Sequence, residues 1–174
     1  MSGNRRAGNF LKECMADALT ELMRENDYAK ITINEIADRA GVNRSTWFRS
    51  FGDKSEALSF KLVLLWRQWA DRNGLVGNYT LENSLDFFTF NYENRELISM
   101  MIAAGQGSAV YSAFYSIMLP QYSEDPYVVR FYSYGMFALL GEWNSRGFKE
   151  SPDEMVEIYY RVMANPPYKK RQAE

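Results

Sequence analysis

The chain has 174 residues, a formal net charge of −2 and 47% hydrophobic residues, enough for one sizeable core or two small packed units and too apolar for a disordered chain. It contains no histidine, which removes imidazole bases, histidine triads and histidine metal sites together, and Cys14 as sole cysteine allows no internal disulfide and no zinc cluster. No metal and no cofactor are therefore expected.

The slight acidity argues against a general nucleic-acid binder, so DNA binding would need a local basic cluster. The opening Met1–Gly8 has no following apolar run, because Lys12 and Glu13 interrupt it; a signal peptide is not expected. No apolar stretch approaches membrane-spanning length, so the expectation is a cytoplasmic protein without a membrane partner.

The first helix is predicted from about Asn9 to Glu25, with Phe10, Leu11, Cys14, Met15, Ala18, Leu19 and Leu22 as its apolar stripe. Before it, Arg5 and Arg6 would sit on a mobile arm. Thr32 with Glu35 reads as a capping box opening a second helix, whose apolar face carries Ile33, Ile36, Ala37 and Ala40. Gly41 stops it, since glycine takes a left-handed conformation cheaply. Asn43 then caps a third helix in which Trp47 and Phe51 share a face, while Arg44, Ser45 and Arg49 fall mainly elsewhere.

Two short helices around a sharp turn, with Arg39, Arg44, Arg49 and Lys54 nearby, are the pattern of a helix-turn-helix that lays its second helix in the major groove. Helix-start N–H groups and basic side chains would meet phosphates. An ordinary helical hairpin with a glycine corner would carry the same caps.

Asp53 with Glu56 opens a fourth helix that runs to about Arg72 and is apolar on more than one face, which suits a connector packed on both sides. Lys54 in its first turn opposes the helix dipole, a misfit that a phosphate would offset. Asn73–Asn78 reads as a linker. Beyond it the chain turns rich in Tyr, Phe and Met, with helices predicted at Thr80–Tyr92, Asn94–Ala104 and Ser108–Leu119. Asp125-Pro126 starts an eighth helix to about Arg146, where Gly135, Ala138 and Gly141 would allow close helix approach. Ser151-Pro152-Asp153-Glu154 opens a ninth, to about Ala164. Met155, Ile158, Tyr159 and Val162 mark one of its apolar faces; Val156, Tyr160 and Met163 mark a second. A helix with two apolar faces needs two partners, and a second copy of the chain is the expected second one. Pro166-Pro167 ends the predicted structure, and Lys169–Arg171 forms a basic tail.

From about Phe10 to Leu64 the joint pattern Thr32, Ile36-Ala37, Ala40-Gly41-Val42, Asn43, Trp47-Phe48, Phe51 and Lys54 resembles the DNA-binding domain of TetR-family transcriptional regulators. Gly135, Trp143, Gly147, Ser151-Pro152 and Glu154 resemble the C-terminal region of such regulators. One departure stands out: the second aromatic is usually tyrosine, whose hydroxyl touches a phosphate, and Phe48 has none.

The resemblance implies an all-α fold: a helix-turn-helix domain over residues 1–53, a linking helix over 54–72, a ligand-binding and dimerisation domain over 73–165, and a tail over 166–174. It implies a ligand-responsive homodimeric regulator, a repressor on a near-palindromic double-stranded operator. Arg44, Ser45, Thr46 and Arg49 would read and dock; Thr32, Asn43, Phe48 and Lys54 would position the backbone. A small apolar or aromatic effector would occupy a cavity lined by Trp66, Phe87, Met101, Tyr111, Phe114, Tyr115, Met118 and Tyr134, though such a stripe is also what plain core looks like. Dimerisation would use Gly135, Ala138, Gly141, Met155, Tyr159 and Val162. Two competing readings remain: a TetR-like coregulator that binds a protein, and, more remotely, a small helical enzyme using acids such as Asp86, Glu93 and Glu96.

Overall fold

Side chains that satisfy the first free N–H groups of a helix fix where several of the helices in this chain begin. The computed structural model describes residues 2–75, 84–118 and 125–164, and the side chains of all of these but residues 2–6 and Met118. Among them are nine α-helices and no strand: α1 (Ser2–Glu25), α2 (Ile33–Arg39), α3 (Arg44–Ser50), α4 (Lys54–Arg72), α5 (Ser84–Glu93), α6 (Arg95–Ala103), α7 (Gly107–Met118), α8 (Pro126–Ser145) and α9 (Pro152–Ala164). The all-α expectation holds.

The caps at Thr32, Asp53, Asp125 and Ser151 sit where the sequence puts them. Thr32 Oγ1 accepts from the Glu35 N–H at 3.3 Å while the Glu35 carboxylate accepts from the Thr32 N–H at 2.8 Å. Ser151 and Glu154 repeat the exchange before α9. At α4 it is offset by one residue: Asp53 accepts from the Glu56 N–H, but the Glu56 carboxylate reaches back to the Gly52 N–H at 2.7 Å. Asp125 caps α8 with Pro126 in its first turn. Gly41 takes φ +66 between α2 and α3, the left-handed conformation that ends a helix sharply.

Two expectations about α1 are corrected. The helix begins at Ser2, so the backbones of Arg5 and Arg6 lie on it and not on a separate arm. Phe10 is exposed, as are Ala7, Gly8 and Asn9, because these turns project beyond the helices that cover Met15, Leu19 and Leu22; Cys14 is half-buried. The second half of the Asn73–Asn78 linker, the start of the predicted Thr80–Tyr92 helix, and the segment from Pro166 to the basic tail lie outside the described residues.

One connected set of buried side chains runs from Met15 in α1 to Tyr159 in α9. α4 threads it, packing on α1 along one side and α7 along the other. Near its start, Phe60 meets the edge of Phe51 at 5.7 Å. Near its end, Trp66 and Trp69 stack at 5.5 Å, and Phe90 of α5 meets Trp66 edge-on at 5.2 Å. Trp69 Nε1 donates to the Glu93 carboxylate at 2.8 Å. Phe88 of α5 meets both Trp143 of α8 and Tyr159 of α9, closing the far end of the body.

Burial pushes the Tyr159 hydroxyl up to about 12, with the neighbouring Tyr132 and Tyr160 adding to the shift. A folded value above the unfolded one means that stability is intact below the ordinary tyrosine range and declines as pH rises from about 10 towards 12. Tyr159→Phe is therefore expected to fold normally at neutral pH and to move the alkaline unfolding transition upward, read by circular dichroism during base titration. An unmoved transition would show that this tyrosine does not limit alkaline stability.

Candidate nucleic-acid interface

α3 is seven residues long and held by one face. Trp47 and Phe51 are buried, their rings 5.2 Å apart, and Phe51 carries on to Phe60 of α4. The ammonium of Lys12 lies over the Phe51 ring at 5.0 Å. With that side pinned, the helix turns Arg44, Ser45, Phe48 and Arg49 to solvent. The Arg44 guanidinium lies over the Phe48 ring at 5.0 Å, and Arg49 donates to Thr46 Oγ1 at 3.3 Å. Asn43 has the backbone of an N-cap, but its exposed side chain makes no capping hydrogen bond.

Thr46 departs from the expectation. Its side chain is buried, so it holds Arg49 and does not belong to the outward surface with Arg44 and Ser45. Thr32 is exposed, yet its hydroxyl is engaged with Glu35 as both acceptor and, at 2.7 Å, donor.

The basic cluster also thins. Arg39 reaches across to α1, 2.9 Å from Glu25 and 3.5 Å from Glu21. That hydrogen-bonded pairing holds the Glu25 carboxyl below the ordinary carboxylate range and raises Arg39. Lys54 Nζ donates to the carbonyls of Tyr28 at 2.6 Å and Ile31 at 2.8 Å, and lies 4.2 Å from the centre of the Tyr28 ring. Burial lowers its pKa, partly offset by Asp27 and Glu35. The misfit of a lysine at a helix start is thus met by carbonyls of the α1–α2 loop, where a phosphate was expected. Those partners are 23 and 26 residues away, so no local sequence signal could have found them.

Lys54→Ala is expected to leave these carbonyls without their charged donor and to lower stability by about 1–3 kcal/mol, measured as a shift of the urea midpoint. An unchanged midpoint would show that the ammonium is not a structural tie.

Residues 16–58 match the family of bacterial regulatory proteins, tetR family, and residues 79–165 match the family of transcriptional regulator C-terminal regions. The chain belongs to the TetR family. Both halves agree: the first match spans the helix-turn-helix just described, and the second takes in α5 to α9. No individual curated protein matches the sequence. The chain is accordingly a DNA-binding transcriptional regulator by family, and no helix among the described residues is long and apolar enough to cross a membrane.

In the body of this regulator the residues expected around an effector divide into two groups. Trp66, Phe87, Met101 and Phe114 are buried, with Phe87 and Phe114 in edge contact at 5.1 Å. Tyr111, Tyr115 and Tyr134 instead form a stack near the surface, Tyr111 lying 4.2 Å from Tyr134 and 5.9 Å from Tyr115. Arg130 caps it, over the Tyr115 ring at 4.5 Å and 3.3 Å from the Tyr111 hydroxyl. The Met118 side chain lies outside the described set. Sequence reasoning passed over Asn91, which is fully buried, donates to the Phe87 carbonyl at 2.7 Å and leaves its Oδ1 without a partner. A cleft of about 260 Å³ lies between α8 and α9, lined by Leu139, Trp143, Met155 and Ile158 with Glu142, Arg146, Glu150 and Arg161. None of the seven expected effector residues whose side chains are described lines it. Of the acids considered for an enzyme, Glu93 and Glu96 share a charged cleft beside α1 with Arg24 and Lys61, while burial raises Asp86 elsewhere on α5.

The two faces of α9 are assigned by the fold, and the expected dimer residues are corrected accordingly. Met155 and Tyr159 are buried in the chain's own core, so they are not available to a second copy. Tyr160, Val162 and Met163 face outward. On α8 the outward surface carries Tyr127, Phe131 (68% exposed), Tyr134 (55%), Gly135 and Ala138. A Cβ built at Gly135 or Gly141 would meet nothing within 4 Å, although Gly141 is only half-exposed.

Proposed function

We propose that this regulator binds a near-palindromic operator as a homodimer, with α3 of each subunit in the major groove, and represses transcription until an effector enters the body. The observation that carries the reading is the asymmetry of α3: one face is pinned by Trp47 and Phe51, and the other offers Arg44, Ser45, Phe48 and Arg49 beside the open amide of Asn43. Arg44 reads a base edge, Arg49 and Ser45 dock on base or backbone, and Thr32 and Asn43 lie along the phosphates. Thr46 and Lys54 act indirectly, through Arg49 and the α1–α2 loop.

The dimer is supported by apolar surface that the described residues leave uncovered. Tyr127, Phe131 and Tyr134 follow one another along α8, and Tyr160 and Met163 along α9. Large apolar side chains aligned on two outward helix faces mark an association surface. Two such helices from each subunit would build a four-helix bundle about a two-fold axis. An effector acts by favouring one spacing of the two heads over another, which requires different affinity for the two states. α4 is the element able to transmit this, since it packs on α1 and α7 together.

A coregulator that binds a protein is the second reading. It is favoured by Phe48 standing 57% exposed and by the internal engagement of Arg39 and Lys54, which leaves the head less basic than its sequence. Selection of bound fragments from random duplex DNA separates the two: an inverted repeat supports the operator reading, and recovery of no duplex supports the protein partner.

On a selected operator, Arg44→Ala is expected to weaken binding by about 1–3 kcal/mol and relax specificity at one position per half-site. Unchanged affinity in a gel-shift titration would remove Arg44 from the reading set. Phe131→Glu is expected to convert a dimer to a monomer in analytical ultracentrifugation and to lower operator affinity with it; a wild-type chain that sediments as a monomer would overturn the symmetric reading.

A further inference from the structure

The recognition helix carries a feature that the operator reading leaves unused. Phe48 is the large apolar residue among the outward side chains of α3, and its ring is more than half exposed. One face of that ring carries the Arg44 guanidinium, 5.0 Å from the ring centre. The residues are one helical turn apart, so the pairing is built into the helix itself. Lacking a hydroxyl, Phe48 has no hydrogen bond to give a phosphate. What it offers the groove is apolar surface held beside a cation.

We propose that Arg44 and Phe48 act as a unit that reads a guanine next to a methylated pyrimidine, thymine or 5-methylcytosine. This rests on the operator reading above. Arginine in the major groove takes guanine O6 and N7 through paired N–H donors, and a ring such as phenylalanine packs on the C5 methyl that distinguishes thymine. Successive bases on one strand are 3.4 Å apart along the axis. A ring centred 5.0 Å from the guanidinium carbon lies within two such steps of it, close enough for a base adjoining the guanine to come within its reach. The stack also restrains the otherwise mobile arginine, so less freedom is lost when its fork engages the guanine. Phe48 is thus a base-reading residue in its own right and a positioning residue for Arg44.

The test uses the full-length protein and the duplex recovered by random selection. Half-sites are expected to place a thymine beside the guanine whose recognition is lost in Arg44→Ala. Replacing that thymine with uracil removes only the C5 methyl. Wild type is then expected to lose about fourfold in affinity per half-site, the value of one buried methyl group. Cytosine at the same position should be improved by 5-methylation. Phe48→Ala, a change at an exposed ring, should keep the wild-type melting temperature and salt dependence yet bind the thymine and uracil duplexes equally. If wild type binds an inverted repeat but does not distinguish uracil from thymine, the proposal for Phe48 fails while the operator reading stands. If no duplex is bound at all, both fail together.

Discussion

A seven-residue helix has no stability of its own in water, because the nucleation of a single helical turn is unfavourable and few hydrogen bonds follow. α3 exists because Trp47 and Phe51 are buried on one side of it. That same burial decides which residues face out. Were Trp47 not anchored, Arg44, Phe48 and Arg49 would have no fixed direction and could not address a groove as a set. The head is therefore an arrangement in which a few aromatic contacts, Trp47 to Phe51 to Phe60, orient the outward surface of α3.

α4 extends this constraint to the rest of the molecule. Phe60 belongs to the aromatic cluster of the head, and Trp66 and Trp69 belong to that of the body, on one continuous helix. Both ends of α4 are also tied by polar bonds to distant chain: Lys54 to the loop before α2, and Trp69 to Glu93 of α5. α4 is thus one continuous element with contacts in both the head and the body. Between them, Lys61 pairs with Asp17 of α1.

The electrostatics of the head are more economical than its composition suggests. Arg39 and Lys54 stabilise the fold, and Arg44 and Arg49 carry the outward charge, each resting on a neighbour one turn away. Resting contacts of this kind, a ring for Arg44 and a hydroxyl for Arg49, limit the freedom of long side chains before any partner arrives. The departure from tyrosine at Phe48 belongs to the same pattern: an aromatic that gives up a hydrogen bond keeps its value as a platform.

The sequence by itself determined what is local. Capping boxes at Thr32 and Ser151, the Asp125-Pro126 start, the Gly41 turn and the inward pairing of Trp47 with Phe51 depend on residues within one or two turns of each other, so spacing alone reveals them. Fold class, helix order and the outward placement of Arg44 followed. What only the tertiary structure decided is where each two-sided element faces and where each charge goes. α9 carries two apolar stripes, and nothing within the helix says that Met155 and Tyr159 turn to the core while Tyr160 and Met163 turn away; the positions of Phe88 and Trp143 settle that. Lys54 has the same sequence context whether it meets a phosphate or a carbonyl, and the choice lies with a loop more than twenty residues earlier in the chain. The division of the effector residues into a buried set and a surface tyrosine stack is of the same kind, because a side chain's partner across the core is fixed by packing and not by its own neighbours.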